Sequence, residues 1–196
     1  MAFLRAGFVG ENLAIAVVCR FRYRSPMHKV LFICTANYYR SRFCEHLFNH
    51  LANQQHLNWT ATSRAVALEL GIGNIGTISE YAIEGLQARG VPLPDQYRHP
   101  QQLTNGDLQS ADVIIVLDEN EHRPYMNMKF PDWANRVTYW QVGDLHVATS
   151  EEALAMAERD IRDLIQRLPL QRRPDVVVPE RSRNSPRSLH WQAGSK

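Results

Sequence analysis

The segment that most limits what this chain can fold into is Lys29-Val30-Leu31-Phe32-Ile33-Cys34, which runs straight into Thr35-Ala36-Asn37-Tyr38-Tyr39-Arg40-Ser41 and then into a helical pattern. Val30, Leu31, Phe32 and Ile33 are β-branched, aromatic or aliphatic, and the run through Cys34 reads as a buried strand. Phe43, Leu47, Phe48 and Leu51 recur at helical spacing over 41–53. Cys-x5-Arg-Ser therefore sits at a strand-to-helix turn. Five intervening residues let the backbone curl so that successive N–H groups point at one centre, next to a helix N-terminus whose dipole favours negative charge. Arg40 adds a planar fork suited to two oxygens of a phosphate-like dianion. The same field favours the thiolate of Cys34, and Ser41 can donate its hydroxyl to the sulfur. The product is a nucleophile at the base of an anion cradle. An isolated cysteine ending a strand reads as an inert core thiol; the strand, spacing, Arg-Ser pair and helix together reverse that reading.

The rest of the pattern alternates strand and helix. Trp59–Val66 reads as a strand. Ser79 opens a helix that ends at Gly90, and Ala111–Leu117 is a buried strand. Asp118 to Met128 reads as a short helix interrupted early by Pro124. Val137–Val142 is a last strand, and Ser150–Leu168 a long helix opened by the capping box Thr149…Glu152. This order predicts an α/β fold with a mostly parallel sheet of about four strands.

The chain has 196 residues and three cysteines, which fits one domain and excludes a disulfide scaffold. Sparse cysteine points to a reducing, cytoplasmic compartment. No apolar run approaches the ~18 residues of a membrane span, so no membrane partner is expected. The net charge of +2 is unevenly spread. Residues 1–28 carry four arginines against one glutamate, and residues 170–196 carry six basic against two acidic residues. The stretch between them is acidic. The organisation expected is an N-terminal extension over 1–28, a catalytic domain over 29–169, and a basic, disordered tail over 170–196. The tail reads as a solvated segment, so no nucleic-acid partner is expected.

The run Val30 to Ser41 resembles the signature of the low-molecular-weight protein tyrosine phosphatases. The likeness covers residues 29 to about 168 and includes Ser63-Arg64-Ala65, Gly90-Val91-Pro92, Gln101-Gln102-Leu103-Thr104 and the stretch from Ala111-Asp112 to Leu117-Asp118. It implies a four-stranded parallel sheet with helices on both faces and the phosphate-binding loop after the first strand. It implies Cys34 as nucleophile, Arg40 as phosphate ligand and Ser41 as activator of the thiol. Thr35, Ala36, Asn37, Tyr38 and Tyr39 form the loop, with Asn37 holding its strained shape. The expected activity is hydrolysis of phosphotyrosine or similar aryl phosphomonoesters on a protein or small phosphoester, through a cysteinyl-phosphate and without metal or cofactor.

Such chemistry needs an acid for the leaving oxygen. The resemblance places it in Val142-Gly143-Asp144-Leu145-His146, so Asp144 is the expected acid. Leu145 stands where the family usually has proline, and the aromatic residues that normally follow are missing. Asp132 is the rival acid, and His146 reads as a solvent-exposed loop residue. Tyr39 removes the second loop cysteine found in many members. Cys44 reads as a packing residue. Gly71-Ile72-Gly73-Asn74-Ile75-Gly76 matches G-x-G-x-x-G but reads as a glycine loop beside the cleft rather than a dinucleotide site. Two alternatives stay open: arsenate reduction with an external small thiol, and a non-catalytic anion-binding regulatory module. A thioredoxin-coupled reductase is excluded, because no cysteine follows Cys44.

Overall fold

A computed structural model describes residues 27–144 and 149–169. Nine α-helices and β-strands follow one another in the described residues: β1 (His28–Cys34), α1 (Arg40–Gln54), β2 (Trp59–Ala65), α2 (Glu80–Ala88), α3 (Asn105–Ser110), β3 (Val113–Val116), α4 (Glu119–Lys129), β4 (Thr138–Tyr139) and α5 (Ser150–Arg167). The four strands form one sheet in the order β2-β1-β3-β4, and every adjacent pair is parallel.

The alternation of side chains along β1 divides the core into two layers. Val30, Phe32 and Cys34 face one layer, with Phe43 and Leu47 of α1, Ala82 and Leu86 of α2, and Leu154 and Ile161 of α5. Leu31 and Ile33 face the other, with Leu108 of α3 and Met126 of α4. Helices therefore cover both faces, as expected. α2 lies close against its neighbours: a Cβ on Gly85 would sit 2.3 Å from Leu154 Cδ1 and 3.3 Å from Phe43 Cε2.

β1 is central. The chain leaves it on one side to form β2 and returns on the other to form β3. The crevice beyond the carboxyl ends of β1 and β3 is thus a topological switch point, where open α/β sheets bind ligands. The segment after β1 opens into that crevice.

Some elements differ from expectation. β4 is two residues long rather than Val137–Val142; an antiparallel bridge between Asp118 and Gln141 ends the parallel pairing. Pro124 does not interrupt α4. It lies inside the helix, where its missing N–H costs one backbone bond. The Asp118 side chain caps the helix by accepting from the Glu121 amide at 2.8 Å, and buried His122 and Met126 anchor it. Ser79 starts α2 without a side-chain cap; its amide instead donates to the Tyr38 carbonyl at 3.0 Å. α3 is a helix beyond the expected elements, and Thr104 and Asp107 form a full capping box around its start. A 3-10 turn at Leu68–Gly71 also stands where no element was expected. The capping box Thr149…Glu152 opens α5 as read. β1 begins at His28, the last residue of the expected N-terminal extension. Residues 1–26 and the tail over 170–196 lie outside the described residues. So does His146.

Candidate active site

β1 delivers Cys34 to the carboxyl edge of the sheet, 3% exposed. Thr35–Tyr39 then bend as a loop before α1 starts at Arg40. Tyr39, at the helix N-cap, offers no side-chain cap. The first amides of α1 are therefore left for another acceptor, which is the arrangement that binds anions.

Asn37 fixes the loop. Its φ is 52°, in the left-handed region, where asparagine is among the few non-glycine residues commonly found. Its buried amide is fully used. Nδ2 donates to Ser41 Oγ at 3.0 Å and Ser63 Oγ at 2.7 Å, while Oδ1 accepts from Arg98 Nη1 at 2.9 Å and the Gln101 amide at 3.0 Å. The bond from Asn37 has a consequence for the thiol. Ser41 Oγ already accepts a proton from Nδ2, so its own proton is available to Cys34 Sγ, 3.0 Å away. Backbone bonds from Val66 to the Cys34 carbonyl and from Ala67 to the Thr35 carbonyl, both 2.9 Å, tie the loop to the end of β2. Gly71 packs on it: a Cβ there would come within 2.8 Å of Ala36 Cβ.

Arg40 is 2% exposed and points into the same crevice. Its Nη1 donates to Glu121 Oε2 at 2.7 Å and to the Val142 carbonyl at 3.1 Å. Its Nη2 donates to Glu121 Oε1 at 2.9 Å and to Asp144 Oδ2 at 3.0 Å. Burial opposes the arginine charge, but the Glu121 bonds and the nearby Cys34 and Asp144 outweigh it, and the Arg40 pKa rises. Glu121 mirrors this: burial alone would raise its carboxyl pKa, and Arg40 instead holds it at about 2. Thr35 Oγ1 also donates to Glu121 Oε1. Behind it, buried His122 brings Nε2 to 3.1 Å from Thr35 Oγ1, and burial keeps that ring below its ordinary pKa.

A cleft of about 720 Å³ opens over these groups. Its base and walls include Cys34, Arg40, Tyr38, Tyr39, Tyr81 and Asp144. The Tyr38 hydroxyl donates to the Ile75 carbonyl at 2.6 Å, fixing the glycine segment at the cleft edge. Tyr39 donates to the Ser150 carbonyl at 3.1 Å; burial, then the charge of Asp144, pushes its pKa to about 12. Asp132 is exposed and does not line the cleft. Cys44 is fully buried in the core, where burial pushes its thiol pKa well up. Gly71–Gly76 follows a 3-10 turn rather than a strand, unlike a dinucleotide fingerprint.

The sequence reading missed Glu121, His122 and Arg98. Asp118 caps a helix that begins at the carboxyl end of a central strand. Polar residues in the first turn of such a helix face the switch point, so the signal for Glu121 was present.

The sequence model of the low molecular weight phosphotyrosine protein phosphatase family matches residues 29–172. The chain belongs to this family. It is a cysteine-dependent phosphatase of the protein tyrosine phosphatase type. Solved structures share the fold. Wzb of Vibrio vulnificus in complex with benzylphosphonate is 21% identical, with a TM-score of 0.59 over 72% of this chain and 99% of that one. The low molecular weight protein tyrosine phosphatase of T. tengcongensis is 24% identical, with a TM-score of 0.58 over 72% and 99%. YwlE arginine phosphatase is 20% identical, with a TM-score of 0.58 over 70% and 93%. Comparison with curated proteins gives no match. Among the described residues, no cluster of His, Cys, Asp or Glu could hold a metal ion, and no helix is long and apolar enough to cross a membrane.

The Arg40–Glu121 pair predicts a pH window for stability. The carboxyl titrates at 4.5 when free and at about 2 in the fold. A depressed carboxyl pKa stabilises the fold fully above its free value, and that contribution fades as pH falls toward the folded value. Unfolding free energy should therefore fall more for wild type than for Glu121→Gln between about pH 5 and pH 3, by a difference on the order of 2 kcal/mol. Parallel melting curves for the two proteins across that range would refute the pairing.

Proposed function

We propose that this phosphatase acts on aryl phosphomonoesters, with phosphotyrosine of a protein as the preferred class. The observation that carries the reading is the join of two features in one cleft. Cys34, backed by Ser41, and Arg40 form its reactive base, and Tyr38, Tyr39 and Tyr81 form aromatic walls. A phosphorylated phenol fits both, since the ring can pack on those walls while its phosphate enters the loop.

Cys34 attacks phosphorus as a thiolate, with the Ser41 hydroxyl steadying the sulfur. The loop amides and Arg40 stabilise the equatorial oxygens as charge develops on them. Asp144 gives a proton to the departing phenol oxygen and then takes one from the water that hydrolyses the cysteinyl-phosphate. The oxygen acid and thiol chemistry require no cofactor. A reduced Cys34 suits the cytoplasmic setting expected from cysteine usage.

A second reading has its own support. Glu80, Glu121 and Asp144 place three carboxylates along the cleft, and an arginine phosphatase shares the fold. A phosphorylated guanidine would bring a cationic leaving group to those charges. Turnover of phosphotyrosine, phosphoserine and phosphoarginine peptides of one sequence decides between the two. Arsenate with glutathione, assayed in parallel, covers the reductase alternative. Preference for phosphotyrosine supports the main reading, and preference for phosphoarginine replaces it. The anion-binding alternative is carried only if none turns over.

A further inference from the structure

We propose that Glu121 is a positioning residue that holds Arg40 in the orientation phosphate requires. A guanidinium presents three edges to hydrogen-bond acceptors. Glu121 takes the end edge, between Nη1 and Nη2, with both carboxylate oxygens. The Val142 carbonyl takes the remaining proton of Nη1, on the edge beside the side-chain stem. The third edge joins Nε and Nη2. Asp144 rests there through one bond to Nη2, and Nε–H takes part in none of these contacts. Two edges are thus fixed by groups on other segments, and only the third can accept a phosphate side-on without dismantling the pair with Glu121.

The two carboxylates hold Arg40 differently. Glu121 accepts from both amino groups of Arg40 and from Thr35, and its own amide is bound by Asp118. Asp144 follows β4 and holds Arg40 through a single bond. An arriving phosphate therefore displaces Asp144 toward the leaving group and leaves Glu121 in place. The arrangement has an electrostatic cost, since a carboxylate beside Arg40 weakens its attraction for a dianion. It is useful only if orientation outweighs that repulsion, so the two effects predict opposite signs for one substitution.

The test is Glu121→Gln in the full chain, with inorganic phosphate binding measured by calorimetry and aryl phosphate kinetics measured beside it. Glutamine keeps the size but meets one Arg40 amino group with a donor or leaves it unpaired. Phosphate binding should weaken and KM rise by about 10- to 100-fold, the scale of a misplaced binding group, with kcat changing less. Glu121→Asp, which keeps the charge, should recover part of the loss. Tighter or unchanged phosphate binding by folded Glu121→Gln would overturn the proposal and make the residue a simple competitor of phosphate. If that variant fails to fold, Thr35→Val decides. It removes one bond to Glu121 and should weaken phosphate binding by about 3- to 10-fold; no change overturns the proposal. The kinetic arm rests on the phosphatase reading and the calorimetric arm does not. Absence of wild-type turnover would therefore end that reading while phosphate binding still settles the role of Glu121.

Discussion

Cys34→Ser is expected to lose turnover of any phosphomonoester by at least about 10⁴-fold while keeping its affinity for phosphate. The two parts of this expectation have separate causes. A serine hydroxyl is far less acidic than a thiol and does not form an alkoxide near neutral pH. The attack on phosphorus is then lost. The cradle itself is not: Asn37 still fixes the loop, and Arg40 still has its partners. The new hydroxyl can bond Ser41 Oγ in the place of the sulfur, which lies 3.0 Å away, so a buried polar group is not left unpaired. The measurement is kcat on an aryl phosphate together with phosphate binding by calorimetry. Turnover within tenfold of wild type would remove Cys34 from the mechanism. Loss of phosphate binding along with turnover would show instead that the substitution had collapsed the loop.

Local signals carried much of the site into view from the sequence. The β1–loop–α1 unit is contiguous, and its chemistry depends on spacing along the chain. Cys34, Arg40 and Ser41 could be placed together because the backbone alone brings them there. The rest of the site is non-local. Arg98 reaches Asn37 and Ser63 across 61 and 35 residues of sequence, and Glu121 reaches Arg40 across 81. No periodicity marks such partners; only the sheet order, which sets α4 beside β1 through β3, brings them into range. Pro124 departs from its expected effect for a related reason. Helix propensity counts a lost backbone bond, but the Asp118 cap and the burial of His122 and Met126 hold α4 from outside. β4 was overextended because its apolar run also serves the irregular segment after Tyr139. There Val142 is buried and donates its amide to the Leu117 carbonyl without continuing the ladder.

Asp144 is the acid that chemistry and resemblance point to, and its position on Arg40 sharpens what its removal should do. Asp144→Asn is expected to lower kcat by about 10²- to 10⁴-fold for substrates with a poorly departing phenol. The loss should shrink toward nothing for a strongly acidic nitrophenol, which leaves without a proton. A structural defect would slow all substrates alike, so the dependence on the leaving group identifies the acid. Binding should change in the opposite sense. The aspartate occupies Nη2 of Arg40 at 3.0 Å, and its charge would repel a dianion in a cleft that already holds Glu121. Asparagine removes that charge, so inorganic phosphate should inhibit the variant at least as well as it inhibits wild type. A lower kcat with equal or tighter phosphate binding is the combined signature of an acid that must leave the phosphate ligand before it can act. If kcat for the poor leaving groups were unchanged, the proton would have to come from elsewhere. Among the described carboxylates lining the cleft, Glu80 and Glu121 would remain. The second is committed to Arg40 and held ionised by it, with a pKa of about 2, and so is a poor donor at neutral pH.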